Sequence, residues 1–489
     1  MMEHLWDVPP SWEWTTINNL GEIVSGGTPS TKIPEYWGGK VIWFAPSDLS
    51  GHTSKFIVRG AKTLTDKGLA KSSAQVMPAG SVMFSSRAPI GYVAINSEPS
   101  ATNQGFKSIV PHGELSNEYI YYYLKAVKQV AEDRATGTTF KELSGSAFGV
   151  LPIPIAPTNE QRRIVARVEA LFKMIDRGVE NLRAAKNAIA LYRQSLLKSA
   201  FEGRLTADWR AQNPDKLESP DALLDRIREE REARYETALD EWERAVVAWR
   251  KDGEKGKKPK KPKQPRRLSV LAYYSHQSHG FWPTVELGDL ISVTSGNGLT
   301  SKQLRNGPHA VYGGNGIIGH HDQYLLEDAA LIIGRVGAKC GVTHITDRKS
   351  WVTDNALIVS PLVDSFDKKF FKTLLEAKNL NNLGSSTGQP VISGSKIYPV
   401  VLTLPPLVEQ RKIAQILDPR LEEVDELESE IDASIARADA LRQSILKKAF
   451  AGQLVPQDPG DEPASALLAR IRAGRSEALP VRRRRRASV

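Results

Sequence analysis

The chain has 489 residues, 40% of them hydrophobic and 25% charged, proportions of a globular protein too long for one core. Its single cysteine, Cys340, excludes an internal disulfide, and no run approaches the ~20 apolar residues that span a bilayer. With no signal peptide visible at the start, a cytoplasmic protein without a membrane partner is expected. The net charge is +10, but residues 251–267 hold nine Lys/Arg against two acids, and Arg482 to Arg486 add five cations. Both stretches have the composition of a disordered linker and tail, and they leave the rest near neutral. Net charge therefore assigns no nucleic-acid partner to the folded regions.

Along the chain, residues 1–157 combine short strands, glycine-rich turns and a short helix near 117–130, an α+β pattern. Residues 158–205 follow as one long helix. Within it Ile164, Val168, Leu171, Ile175, Gly178, Leu182, Ala185, Ile189, Tyr192 and Leu196 alternate steps of four and three, a heptad seam. Residues 206–279 are a charged helical arm and a Lys/Pro-rich linker, where Pro259, Pro262 and Pro265 prevent helix. A second α+β region, 280–406, has its own short helix near 366–379. The second long helix, 407–454, carries Ile413, Leu417, Arg420, Val424, Leu427, Ile431, Ser434, Ala438, Leu441 and Ile445 in the same register. A short helix and the arginine-rich tail occupy 455–489.

This order is an internal repeat. Pro157-Thr158-Asn159-Glu160-Gln161-Arg162 recurs as Pro406-Leu407-Val408-Glu409-Gln410-Arg411, and Arg193-Gln194-Ser195-Leu196-Leu197-Lys198 recurs as Arg442-Gln443-Ser444-Ile445-Leu446-Lys447. Ser144-Gly145-Ser146 and Ser393-Gly394-Ser395 keep the same spacing, so the element between tolerates no net insertion. Residues 160–198 hold nine basic and four acidic groups, whereas 409–447 hold six and ten. Helices of opposite charge are expected to pair through their seams; the alternative is that each seam packs on its own domain.

The Pro-to-Glu-Gln-Arg junctions and the Arg193–Gly203 run resemble the helical regions of type I restriction–modification specificity (S) subunits. Ser25-Gly26-Gly27-Thr28-Pro29-Ser30, with Tyr36-Trp37-Gly38-Gly39 behind it, resembles the start of their target-recognition domains. Tyr312-Gly313-Gly314-Asn315-Gly316 resembles a second variant of that start. The similarity covers nearly the whole chain except the linker and the arginine tail. It implies two target-recognition domains, each reading half of a split double-stranded DNA target, and two long helices paired as an antiparallel coiled coil under a pseudo-two-fold repeat. It also implies docking of methyltransferase (modification) and restriction/translocase subunits. S-adenosylmethionine, ATP and Mg2+ would then belong to those partners, with no cofactor, metal or catalytic residue in this chain. If the equal helices set the gap between half-sites, removing one matched heptad, ~10 Å, should shorten the spacer by about three base pairs.

Catalytic signatures are few. Gly314 to Gly319 satisfies Gly-x-Gly-x-x-Gly, but His320-His321-Asp322-Gln323 does not open the required helix. No Walker A loop, His-Glu-x-x-His motif or Asn-Pro-Pro-type methyltransferase motif occurs. His320-His321 with Asp322 is a poor metal set, since adjacent strand residues face opposite ways. A nuclease reading of Pro214-Asp215 lacks a following Glu-x-Lys strand.

Base reading needs donors and acceptors on loops, chiefly Arg to guanine and Asn or Gln to adenine. Candidates are Thr28, Ser30, Lys32, Arg87, Asn103 and Gln104 in the first region, and Asn315, His320, Arg335, Asn355 and Gln389 in the second. Arg87 and Arg335 stand out because both precede a glycine turn; Thr138, Thr139 and Lys141 are weaker. Each of these side chains could equally serve a turn or an ion pair. Two other function classes stay open at this point: a coiled-coil scaffold that reads no DNA, and a self-sufficient nuclease or methyltransferase.

Overall fold

The computed structural model describes residues 4–137, 141–268, 282–337, 339–384 and 390–478. It divides into two compact units, residues 1–184 with 431–489, and residues 185–430. Each long helix starts in one unit and ends in the other, so each unit holds the start of one helix beside the end of the other.

In the first unit, strand Glu13–Thr16 pairs antiparallel with Pro152–Ile155 and closes the α+β region on itself. Between them lies a five-stranded sheet in the order Gly21–Ser25, Phe106–Pro111, Val82–Ser86, Ile90–Asn96, Phe56–Ile57. A three-stranded sheet follows the order Lys62–Leu64, Trp37–Phe44, Ser100–Thr102. Helix Asn117–Ala126 is capped by Ser116, whose Oγ accepts from Tyr119 N. It buries Tyr119 and Tyr123 edge-on against Phe450, each with ring centroids 5.1 Å apart. The Ala-Phe of the repeated helix-end motif is thus a core plug. Gly452 then stops the helix at φ +69°, where a Cβ would lie 2.3 Å from Pro9 Cδ.

The second unit repeats this topology. A four-stranded sheet runs Ile291–Ser295, Ala356–Pro361, Leu331–Gly334, Thr343–Ile345, and a three-stranded one Gly316–His321, His309–Gly313, Trp351–Val352. Thr284–Glu286 closes on Val401–Thr403, and Phe201 meets Phe370 at 5.7 Å. Leu223, Leu224 and Ile227 of helix Pro220–Lys251 fill this core, as Leu467, Leu468 and Ile471 of helix Ala464–Ala478 fill the first. The fold is α+β, duplicated.

The long helices, Thr158–Phe201 and Leu407–Phe450, have 44 residues each. Start lies beside end in both units, an antiparallel pairing tied by ion pairs at repeat-related positions. Arg442 reaches Asp176 Oδ1 at 2.5 Å in the first unit; Arg193 contacts Asp425 and, at 3.5 Å, Glu428 in the second. Ile164, Val168 and Leu196, and Ile413, Leu417, Val424, Ile431 and Ile445 are buried, while Leu171, Ile175, Leu182 and Ile189 are half-buried.

The strict heptad is corrected elsewhere. Burial follows Val179, Lys186 and Arg193 rather than Gly178, Ala185 and Tyr192, and Leu421, Glu428 and Arg442 rather than Arg420, Leu427 and Leu441. Leu427 is 48% and Leu441 51% exposed. Two successive steps of four, from Leu171 to Ile175 to Val179, turn the stripe by one position. A helix of 3.6 residues per turn drifts ~20° per heptad against a 3.5 repeat, and the extra step absorbs the drift. Leu427→Lys and Leu441→Lys should therefore change unfolding free energy by less than about 0.5 kcal/mol. Ile431→Ala should cost about 2–4 kcal/mol; equal denaturation midpoints for all three would contradict this stripe.

The Glu-Gln doublets open these helices as buried clamps. Glu160, Gln161, Glu409 and Gln410 are at most 1% exposed. Gln161 Nε2 donates to Ala156 O at 2.8 Å, and Gln410 Nε2 to Pro405 O at 2.9 Å, tying each helix to the short segment that leads into it. Glu160 accepts from Trp12 Nε1 at 2.9 Å and from Gln457. Glu409 accepts from Trp282 Nε1 at 2.8 Å and Thr206 Oγ1 at 2.7 Å, and pairs with Arg210.

The linker is not the disordered segment its composition suggests. After a turn at 252–257, residues 258–268 run back along helix Pro220–Lys251 as a strap. Trp242 Nε1 donates to Pro259 O at 3.0 Å and Arg231 Nη2 to Arg266 O at 2.9 Å. From 256 to 267 only Pro259, Pro262 and Pro265 are half-buried, every other residue being exposed. That period matches the three-residue turn of polyproline II, which seats one proline per turn on the helix. Leu268 then enters the second core. Residues 269–281 and Arg482–Arg486 lie outside the described residues.

Candidate nucleic-acid interface

In the first unit the candidate side chains lie on three loops at one end of the five-stranded sheet. Gly27 N donates to Thr102 O at 2.8 Å, and Asn103 N to Phe44 O at 2.8 Å, so the loops after Ser25 and Thr102 are stitched together. Thr28 Oγ1 donates to Gln104 Oε1, and Asn103 Oδ1 accepts from Gly105 N at 2.8 Å. Ser86 N donates to Gly105 O at 2.7 Å, which brings the Arg87 turn alongside. Ser30 and Lys32 are exposed farther along the first loop. Thr28, Asn103, Gln104 and Arg87 converge; Asn103 is also committed to holding its own turn.

Two neighbours escape a sequence reading. Glu142 Oε2 lies 3.5 Å from Arg87 Nη1, and its Oε1 lies 3.6 Å from Lys107 Nζ. Glu142 is 55 positions from Arg87 and 35 from Lys107 in sequence, and no local pattern links them. The three charges sum to one positive charge at the loop end.

In the second unit Asn315, Arg335 and Asn355 gather around Gly314. Arg335 N donates to Asn355 O at 2.8 Å, and a Cβ on Gly314 would lie 2.8 Å from Asn355 O. Arg335 Nη1 donates to Ser295 Oγ at 3.2 Å. Among the described residues no carboxylate pairs with it. His320 does not join this group: it is exposed and lies opposite Ala310, toward the far end of the hairpin from Asn315. Of the remaining candidates, Gln389, Thr138 and Thr139 lie outside the described residues, whereas Lys141 is exposed.

The two arginines are not repeat equivalents. Leu143 N donates to Ser86 O and Ile392 N to Arg335 O, each at 2.9 Å. Leu143 and Ile392 hold the same place in the repeat, so Arg335 matches Ser86, and Arg87 matches Val336. In extended backbone a one-residue offset turns a side chain to the other face. Arg87 accordingly reaches Glu142, and Arg335 reaches Ser295.

The look-alike motifs resolve into ordinary backbone. Gly314–Gly319 belongs to the hairpin of His309–Gly313 with Gly316–His321, and its turn lies between strands. His321 is buried and accepts from Arg305 N at 3.2 Å, on the opposite strand face from His320. Among the described residues no three His, Cys, Asp or Glu side chains converge on a metal position.

The chain matches the type I restriction modification DNA specificity domain twice, over residues 9–182 and 281–437. It belongs to the type I restriction–modification specificity family. Each match covers one closed α+β region and runs on into the long helix behind it. The MjaIX specificity subunit of Methanocaldococcus jannaschii is 37% identical over 196 residues, 40% of this chain and 44% of that protein. The chain thus spans less than half of that relative. The EcoKI specificity subunit of Escherichia coli K12 is 22% identical over 453 residues, 84% of each. A chain from a structure of a type I R-M system, described for its complex assembly and conformational transition, superposes with a TM-score of 0.62 at 18% identity. It covers 92% of this chain and 100% of itself, a likeness of fold. Among the described residues of this specificity-family chain, no helix is long and apolar enough to cross a membrane.

Proposed function

We propose that this chain is the non-catalytic DNA-reading subunit of a type I restriction–modification enzyme, each α+β region reading one half of a bipartite double-stranded target. The observation that carries it is the doubled specificity domain, with polar and cationic loops gathered at the same sheet end in both copies. Thr28, Gln104 and Arg87 read or position one half-site; Asn315, Arg335 and Asn355 the other. The methyltransferase and restriction/translocase subunits dock on this chain in the cytoplasm and bring S-adenosylmethionine, ATP and Mg2+. This chain's own residues select the sequence.

Methylation mapping in cells with the cognate methyltransferase subunit, with and without this chain, tests the reading. A split motif that vanishes without the chain is the expected result. Absence of any motif from a normally assembled complex would favour a scaffold that reads no DNA. A finer test separates the arginines. Arg335, unpaired with acid, should lose about 1–3 kcal/mol at one base pair on substitution by Ala, relaxing specificity there. Arg87→Ala should show a smaller loss, because Glu142 already competes for its guanidinium. Equal relaxation of both half-sites, measured by binding to single-substituted duplexes, would refute the distinction.

A further inference from the structure

The strap turns the basic linker into a defined surface. Lys255, Lys257, Lys258, Lys260, Lys261 and Lys263 are all exposed along it and the turn before it, and among the described residues none has an ion-pair partner. Pro259, Pro262 and Pro265 are half-buried and seat the strap on the helix, while the lysines between them stay exposed. Lys261 alone has a fixed contact, lying 5.4 Å over the Trp242 ring. The inner end of this hairpin is anchored to the second α+β region: Arg234 pairs with Asp364, and Arg266 with Glu286 at 2.7 Å and Asp289 at 3.2 Å. Those anchors lie at the opposite sheet end from Asn315, Arg335 and Asn355.

Six cations held side by side with no ion-pair partner among the described residues repel one another, and an external polyanion relieves that repulsion. At ~3.1 Å per residue, the span from Lys255 to Lys263 is at most about 25 Å, so neighbouring lysines average ~5 Å apart along the strap. One DNA strand presents a phosphate every ~3.4 Å along the helix axis. The ridge carries no array of acceptors or apolar side chains that would discriminate bases.

We infer that this lysine ridge is a second, sequence-independent contact for duplex DNA, gripping the phosphate backbone away from the half-sites. The occupant rests on the DNA-reader assignment; the ridge itself does not. The test uses the full chain and a duplex lacking the target motif, titrated by fluorescence anisotropy across a range of KCl. The variant changes Lys255, Lys257, Lys258, Lys260 and Lys263 to Gln, leaving Lys261 on Trp242. Each phosphate neutralised adds about 0.9 to the slope of log affinity against log salt, so with one phosphate per lysine the variant's slope should fall by about 4.5. Affinity for target-free DNA should drop at least tenfold at low salt, while the methylated motif stays the same. Equal slopes for variant and wild type would overturn the proposal. Equal slopes with loss of co-purification with the methyltransferase subunit would also overturn it, and would assign the ridge to an acidic protein surface. Failure of half-site reading alone would leave this result standing, because the probe contains no half-site.

Discussion

Glu409→Gln should destabilise the second unit by about 3–5 kcal/mol, whereas Glu160→Gln should be neutral or slightly stabilising at pH 7. The two glutamates hold the same place in the repeat, and both accept a tryptophan N–H. Their remaining partners differ. Glu409 carries the counter-charge for Arg210, whose side chain is 11% exposed and also donates to Gly203 O at 2.6 Å. Neutralising Glu409 takes this carboxylate away from a largely buried guanidinium. Glu160 has instead the neutral amide of Gln457, which can flip to meet a glutamine. Burial, opposed by the bonds from Trp12 and Gln457, raises the Glu160 pKa above its usual value. A carboxyl raised in this way holds its proton more tightly folded than unfolded. It therefore subtracts stability at neutral pH, and the penalty disappears as pH falls through the folded pKa. The difference between wild type and Glu160→Gln should accordingly shrink on acidification toward pH ~4, near the unfolded value. Denaturant unfolding at several pH values measures both effects; equal losses for the two variants would show that Arg210 does not depend on Glu409.

Exchanging residues 17–151 for the matching segment of another specificity-family member should replace one half of the methylated motif and leave the other half and the spacer unchanged. The boundary follows from the fold. Trp12 and strand Glu13–Thr16 stay because Trp12 serves the Glu160 clamp and the strand closes on Pro152–Ile155. The helix end that floors this core, Ile445 to Phe450, also stays. Each mismatched base pair costs about 1–3 kcal/mol, so methylation at the old half-site should fall to background. Genome-wide methylation mapping reads this directly. A change in both halves, or in neither, would mean that the two regions do not read independently. Since Tyr119 and Tyr123 pack on Phe450, the donor segment should keep aromatic residues at those two places.

Much of this was legible because it repeats. The Glu-Gln-Arg and Arg-Gln-Ser runs, the long helices and the two α+β regions follow from motif spacing and apolar periodicity, which are local properties of a chain. Their chemistry was less legible. Nothing local says that Glu160 and Glu409 are buried, or that Phe201 and Phe450 plug cores, because their partners are remote in sequence.

Three features were decided only by tertiary structure. The seam leaves strict heptads, since side chains with apolar stems and charged ends, such as Arg193 and Arg442, take buried-stripe positions when an acid on the facing helix receives them. The apparent pairing of Arg87 with Arg335 dissolves, since strand register, not motif resemblance, determines which face a side chain occupies. The Lys/Pro linker is ordered, since each proline by itself only forbids helix, while three at one-turn spacing seat a strap once a helix face with tryptophan and arginine donors lies beside it. Sequence by itself determined the repeat, the element types and the family; three-dimensional packing decided which of their charges are buried, paired or left to meet a partner, because burial and pairing belong to contacts between distant segments.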